Sequence, residues 1–226
     1  MKRLPVLVLL AAGCLSAQSK TLSNGAQRIE LTIERRVNNA WRAVDPGLVF
    51  DNGDRVRFRY KTNFGGFLYV MNHGTAGTYM QLFPSAETGT ANRVDPDREY
   101  IVPATDGAFR VAGPPGHDVI YFTVMPVEVT SGSSYKPLPP PPPTPARQSL
   151  TPRCDDAILR ARGECVDSSA GAANADPDKL PANLKPRGGQ TAGPELIIRK
   201  QRNAALLSSP APLGGPVTFE FRLAHK

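Results

Sequence analysis

Hydrophobic and polar residues alternate along much of the first half of the chain, and the period is two. Ile29, Leu31 and Ile33 alternate with Glu30, Thr32 and Glu34, and Val56, Phe58 and Tyr60 alternate with Arg55, Arg57, Arg59 and Lys61. Successive side chains of an extended strand point to opposite faces, so each run predicts a strand with one dry and one wet face. Phe67–Met71 and Val119–Met125 are instead nearly continuous apolar runs, as expected of strands buried on both sides. Shorter candidates lie at Trp41–Val44, Tyr79–Phe83, Glu99–Val102 and Phe109–Val111, separated by turn chemistry such as Asp51-Asn52-Gly53-Asp54, Asn72-His73-Gly74 and Gly113-Pro114-Pro115-Gly116. No ten-residue segment here carries a helical stripe. The pattern predicts an all-β fold, an immunoglobulin-like antiparallel β-sandwich over residues 27–129.

The character changes over residues 130–194. This stretch of 65 residues holds 12 prolines, including the uninterrupted Pro139–Pro143, and much of the remainder is Ala, Gly, Ser and Asn. Such a composition buries too little apolar surface to offset its ordering entropy, so a long proline-rich disordered insertion is expected, pinned locally by a disulfide loop and otherwise a spacer. A polyproline run is also a ligand for aromatic-lined grooves. Strand patterning returns over residues 195–226, with Leu196, Ile197 and Ile198 opening one strand and Val217, Phe219, Phe221 and Leu223 alternating in another. Two isolated strands are marginal in water. They are expected to dock as a hairpin on the first half and complete its sandwich.

The beginning of the chain reads as an export signal, residues 1–17. Lys2 and Arg3 precede the apolar stretch Leu4–Ala12, and small residues follow. Two cleavages fit: one after Ala17, and one in the lipobox-like run Leu10-Ala11-Ala12-Gly13-Cys14, where Cys14 would become a lipidated first residue and the only link to a membrane. Either places the mature chain outside the cytoplasm, in the periplasm, at the cell envelope or secreted. Cys154 and Cys165 then remain, an even pair suited to one disulfide. A continuous helix between them would hold them about 16 Å apart, beyond the roughly 7 Å reach of a bridge, so the helix suggested there must end early, near Gly163.

The ordered motifs Gly53-Asp54-Arg55-Val56-Arg57-Phe58, Gly66-Phe67-Leu68-Tyr69-Val70-Met71-Asn72, Leu82-Phe83-Pro84-Ser85, Asn92-Arg93-Val94 and Gly113-Pro114-Pro115-Gly116 resemble an uncharacterised bacterial domain family of unknown function. The resemblance covers about Leu48–Glu128, with Val217–His225 as its closing strand. It implies a small β-rich module of exported proteins, a module also found attached to caspase-like peptidase and protein-kinase domains, with no catalytic residues assigned.

Candidate chemistry is sparse. The sequence has no G-x-S-x-G, H-E-x-x-H, phosphate-loop or dinucleotide motif, so no catalytic residues, cofactor or metal are expected. His73, His117 and His225 would have to converge with carboxylates to make a site, and Asp51, Asn52 and Asp54 read better as a tight turn than as a calcium loop. Among the aromatic residues, Phe64, in a turn, and Trp41, beside two asparagines and Arg42, are the candidates for ligand contact. The sharpest feature is the row Arg55, Arg57, Arg59 and Lys61, spaced about 6.7 Å apart on one strand face. It suits an anionic polymer, unless Glu30, Glu34 or similar residues pair with it across the strand. The formal charge of +7 falls to +5 without Lys2 and Arg3, which argues against a dedicated nucleic-acid binder.

The functional expectation is a non-enzymatic exported module that binds a protein or glycan partner at the cell envelope. The alternatives are an accessory subunit that modulates an envelope enzyme, or a binder of anionic envelope polymer through Arg55–Lys61. From the sequence alone, Arg57 and Arg59 are the pair to remove: their joint replacement by Ser should abolish retention on an anionic matrix if the row binds.

Overall fold

The computed structural model describes residues 26–126, 151–178, 180, 195–209 and 215–226. Two antiparallel sheets pack face to face. The first runs in the order β11 (Ile197–Gln201), β12 (Ala204–Ser209), β1 (Gln27–Val37), β3 (Arg55–Thr62), β7 (Glu99–Val102), with β2 (Ala40–Ala43) also on β1 and β8 (Phe109–Arg110) also on β3. The second runs β10 (Gly171–Asn174), β13 (Val217–His225), β9 (Gly116–Met125), β4 (Gly66–His73), β5 (Tyr79–Phe83), with β6 (Arg93–Val94) on β4. β3 lies between β1 and β7, the chain crosses to β4, returns to β7 and β8, and crosses again to β9 beside β13. That alternation between sheets is the connectivity of an immunoglobulin-type sandwich.

The expected alternation of β3 is met by its packing. Val56, Phe58, Tyr60 and Thr62 are buried, and the residues between them face outward. β9 is buried on both faces, as its continuous apolar run requires. The core is bound by aromatic side chains that pack between the sheets, with Phe58 reaching across and Phe122 and Phe219 paired within the second. Phe58 meets Phe122 edge-on at 5.2 Å and Phe221 edge-on at 5.3 Å, and Phe122 stacks on Phe219 at 5.2 Å. Such pairs add about 0.5–1.5 kcal/mol each beyond the area they bury. The β1–β2 connection is a two-residue turn in which Asn38 and Asn39 both take positive φ, 50° and 61°. Asparagine tolerates that conformation, and this turn twists in the sense that a hairpin needs.

Two expectations need correction. The C-terminal segment does not dock as one hairpin. β11 and β12 pair with each other and extend the first sheet on β1, whereas β13 enters the second sheet between β9 and β10. Nor is all of 130–194 without structure. Within it, residues 151–178 form α1 (Ala157–Ala161), the Cys154–Cys165 disulfide and the edge strand β10. The helix is only five residues long and Gly163 follows it at φ 81°, which lets the chain reverse and brings the two cysteine Cα atoms to 4.7 Å.

This segment is held by long-range bonds that composition cannot reveal. Val49 N–H donates to the Cys165 carbonyl at 2.8 Å, and Asp167 N–H to the Gly47 carbonyl at 2.9 Å. Gly47 must be glycine for this approach, because a Cβ there would come within 2.8 Å of the Asp167 carbonyl oxygen. Leu180 completes the cover, packing with Met71, Val119 and Tyr121 on the outer face of the second sheet. The polyproline run Pro139–Pro143, the leader at 1–17 and Cys14 lie outside the described residues.

Because Phe221 is buried against Phe58 across the sheets, Phe221→Ala should cost about 3–5 kcal/mol of unfolding free energy. Urea titration of the full chain measures it. A loss below about 1 kcal/mol would mean that β13 is not an integral strand of the sandwich.

Candidate functional site

Cross-strand register decides what the basic row can do. Three residues of β1 come opposite it on the same face: Glu30 opposite Lys61, Thr32 opposite Arg59 and Glu34 opposite Arg57. On the other side of β3, Lys61 faces Glu99 and Arg55 faces Arg110. One ion pair follows this register directly and the two made by Arg59 run diagonally to it. Arg57 Nε donates to Glu34 Oε2 at 2.5 Å, Arg59 Nη1 to Glu34 Oε1 at 3.3 Å, and Arg59 Nη2 to Glu99 Oε1 at 2.6 Å. Glu34 is 4% exposed, roofed by these two guanidinium groups. The hydrogen bond that Arg59 donates to Glu99, reinforced by the charges of Glu99 and Glu34, outweighs desolvation and holds Arg59 above its usual pKa.

Trp41, on β2, is half-buried and stands opposite Arg36. The Arg57 guanidinium lies over its ring at 4.4 Å and that of Arg36 at 6.0 Å. Such contacts contribute about 0.5–2 kcal/mol and fix the direction of an otherwise flexible arginine. Phe64 is placed differently: it is partly buried and packs against the main core, and Thr62 Oγ1 donates to its carbonyl. The structure therefore brings Trp41 together with the basic row and sets Phe64 apart from it.

The face carries more charge than the row on one strand. Register adds Arg28 and Arg36 from β1, Arg110 from β8 and Arg199 from β11, set against Glu30, Glu34 and Glu99. Arg110 was missed because a two-residue strand has no periodicity to read. Its only sequence signal is that it follows an apolar residue in a short apolar run.

The histidines occupy separate places. His73 meets the Tyr79 ring edge-on at 6.2 Å. His117 Nε2 lies 3.2 Å from Asp167 Oδ2, and the fully buried His225 lies 3.4 Å from Asp118 Oδ1. Among the described residues, no group of three or more His, Cys, Asp or Glu could hold a metal ion. On the flank opposite β10, a cleft of about 360 Å³ opens between the β5 side and the loop before β8, lined by Met80, Gln81, Glu87, Phe109 and Asp118 among others. Several of its polar groups are engaged internally: Gln81 donates to the Pro84 carbonyl at 2.7 Å, and Asp118 accepts from Thr75 N–H at 2.7 Å.

The fold and this face define an all-β, two-sheet sandwich whose first sheet presents a basic outer surface. Residues 49–125 match the model of a family described as a domain of unknown function, DUF4384. The matched span runs through β3–β9 and leaves β1 and the closing strand β13 outside it. No curated protein and no solved structure matches the chain.

Asp167 ties the 151–178 segment to the sandwich and gives it an acid limit. Burial alone would raise its carboxyl, but hydrogen bonds from Ser169 Oγ, Arg153 N–H and Ser169 N–H, with the charge of His117, more than offset this and lower its pKa. A carboxyl lowered in the folded state stabilises it above the ordinary carboxylate pKa, and that contribution is lost as pH falls through the folded value. Asp167→Asn should lower stability at neutral pH and flatten the loss on the acid side. Urea midpoints between about pH 6 and pH 2.5 measure both effects, and an unchanged acid slope would show that Asp167 is not the titrating anchor.

Proposed function

We propose that this chain is a non-enzymatic, exported β-sandwich that serves as a binding or interaction module of the bacterial cell envelope, engaging a protein or glycan partner. The observation that carries the binding reading is the outer face of the first sheet. It is broad and cationic, and its arginines are oriented by Trp41 and Glu34 before any ligand arrives. Pre-orientation lowers the entropy lost when a partner is bound. Where the partner is an enzyme, the module acts as its accessory subunit.

Export is supported by the leader pattern at residues 1–17, with Cys14 as the residue that a lipid would modify. The Cys154–Cys165 bridge agrees with it, since structural disulfides persist in oxidising compartments.

Expression of the full chain in a bacterium, followed by fractionation and mass measurement, tests the address. The mature protein should begin at Gln18 or at a lipid-modified Cys14 and be recovered outside the cytoplasm. Recovery of cytoplasmic protein that retains Met1–Ala17 would overturn the export reading.

A further inference from the structure

The basic face is not uniform, and its two ends are built from opposite pairings. At the Lys61 end, the cross-strand line reads Glu30, Lys61, Glu99, so a single cation stands between two carboxylates. At the Arg55 end, the line holds no carboxylate. Arg55 stands directly opposite Arg110 on β8. One step past the paired Arg35 and Val56, the register of β1 and β3 also brings Arg36 level with Arg55. Arg36 in turn stands opposite Trp41. Three guanidinium-bearing residues thus lie abreast on adjacent strands, roughly 5 Å apart per strand, with a tryptophan at the end of the line.

Like charges directly opposite in a sheet are destabilising. Among the described residues, no carboxylate lies within ion-pair distance of Arg36, Arg55 or Arg110, whereas nearby Asp51 and Asp54 are drawn to Arg35 and Lys226. At the Lys61 end the residues standing opposite are carboxylates, whereas at this end they are cations, and an anion from outside would relieve the repulsion.

We infer that Arg36, Arg55 and Arg110 form the anchoring site for a phosphate-bearing glycan, resting on the reading of the chain as an envelope binding module. Guanidinium forks match phosphate oxygens in bidentate geometry, and three abreast can grip one phosphate or two neighbouring ones along a chain. Nucleic acid fits this face less well. Single strands are held by bases stacked on exposed rings, and Trp41 is already covered by Arg57. Duplex recognition needs an element that enters a groove, which the broad sheet face does not supply.

The anchor lies beside the pair, Arg57 and Arg59, that a reading of one strand selects. Arg57 and Arg59 hold the buried Glu34, so removing both would expose an unpaired carboxylate and confuse unfolding with lost binding. The informative comparison is Arg55→Ser with Arg110→Ser, both exposed in the structure, against Lys61→Ser.

The full chain contains one tryptophan, Trp41, whose fluorescence reports binding beside the site. Phosphorylated mannan is the probe, with unphosphorylated mannan, single-stranded DNA and polyglutamate as comparisons. Phosphorylated mannan should bind most tightly and weaken with salt, losing more than about tenfold in affinity in the double variant and less than about twofold in Lys61→Ser. Equal losses in the two variants, binding of unphosphorylated mannan as tight as that of the phosphorylated form, or tighter binding of DNA or polyglutamate would overturn the assignment. So would the absence of any binding. Because export is read separately from the mature N-terminus, a correctly exported protein that ignores phosphorylated mannan removes this site and leaves the envelope reading standing.

Discussion

The strict alternation of β3 is the constraint on which the rest depends. One step of register would turn Phe58 and Tyr60 to solvent and drive Arg57 and Arg59 into the core, because side chains in a strand repeat every two residues. Burying an unpaired guanidinium costs several kcal/mol, so that alternative is closed. β3 is paired on both sides, with β1 along one edge and with β7 and β8 along the other. The same alternation therefore sets the aromatic contacts of Phe58 with Phe122 and Phe221 and the outward row of cations. Core and basic face are two consequences of one register.

The two sheets use their outer faces differently. That of the second sheet is apolar at Met71, Val119 and Tyr121 and is covered in part by Leu180. That of the first sheet is charged and carries no such cover among the described residues. Bonds to the 151–178 segment join the edges of both sheets: Lys200 of β11 donates to the Ser168 and Ala170 carbonyls at 2.8 Å each, and the Asn174 side chain of β10 exchanges two hydrogen bonds with Leu196. One flank is thereby closed and an edge strand shielded from adventitious pairing. The outer sheet face left uncovered among the described residues is the basic one.

Where side chains alternate or are uniformly apolar, the sequence could be read directly. β1, β3, β9 and β13 announce themselves because their residues sort cleanly by polarity. β12 and β10 do not: Ala204-Ala205-Leu206-Leu207-Ser208-Ser209 has small residues where contrast is needed, and Gly171-Ala172-Ala173-Asn174 has no strand propensity to speak of. Their strandedness comes from neighbours, β1 for the one and β13 for the other. The order of 151–178 was hidden for the same reason, since its bonds to Gly47, Val49 and His117 join residues far apart in the chain. The basic row was legible and its partition was not. Periodicity shows which residues share a face on one strand, whereas neutralisation depends on which strand lies next to it.

That partition bears on how the matched module relates to the whole chain. The 49–125 span contains β3, β7 and β8, and so supplies Arg55, Arg57, Arg59, Lys61, Arg110 and one carboxylate, Glu99. β1 and β2, outside the span, bring Glu34, which pairs with Arg57 and Arg59 in the middle of the row, Glu30, which stands opposite Lys61, and Arg36 with Trp41, which extend the Arg55 end. Without β1, the row on β3 would be answered on this face by Glu99 alone. Adding β1 converts that row into a graded surface with a mixed-charge end and a cationic end. Because specificity is a difference of affinities, cancelling charge where a ligand should not sit is as effective as placing it where one should. On this argument, the strand that completes the sandwich also decides which part of the module's charge remains free to act.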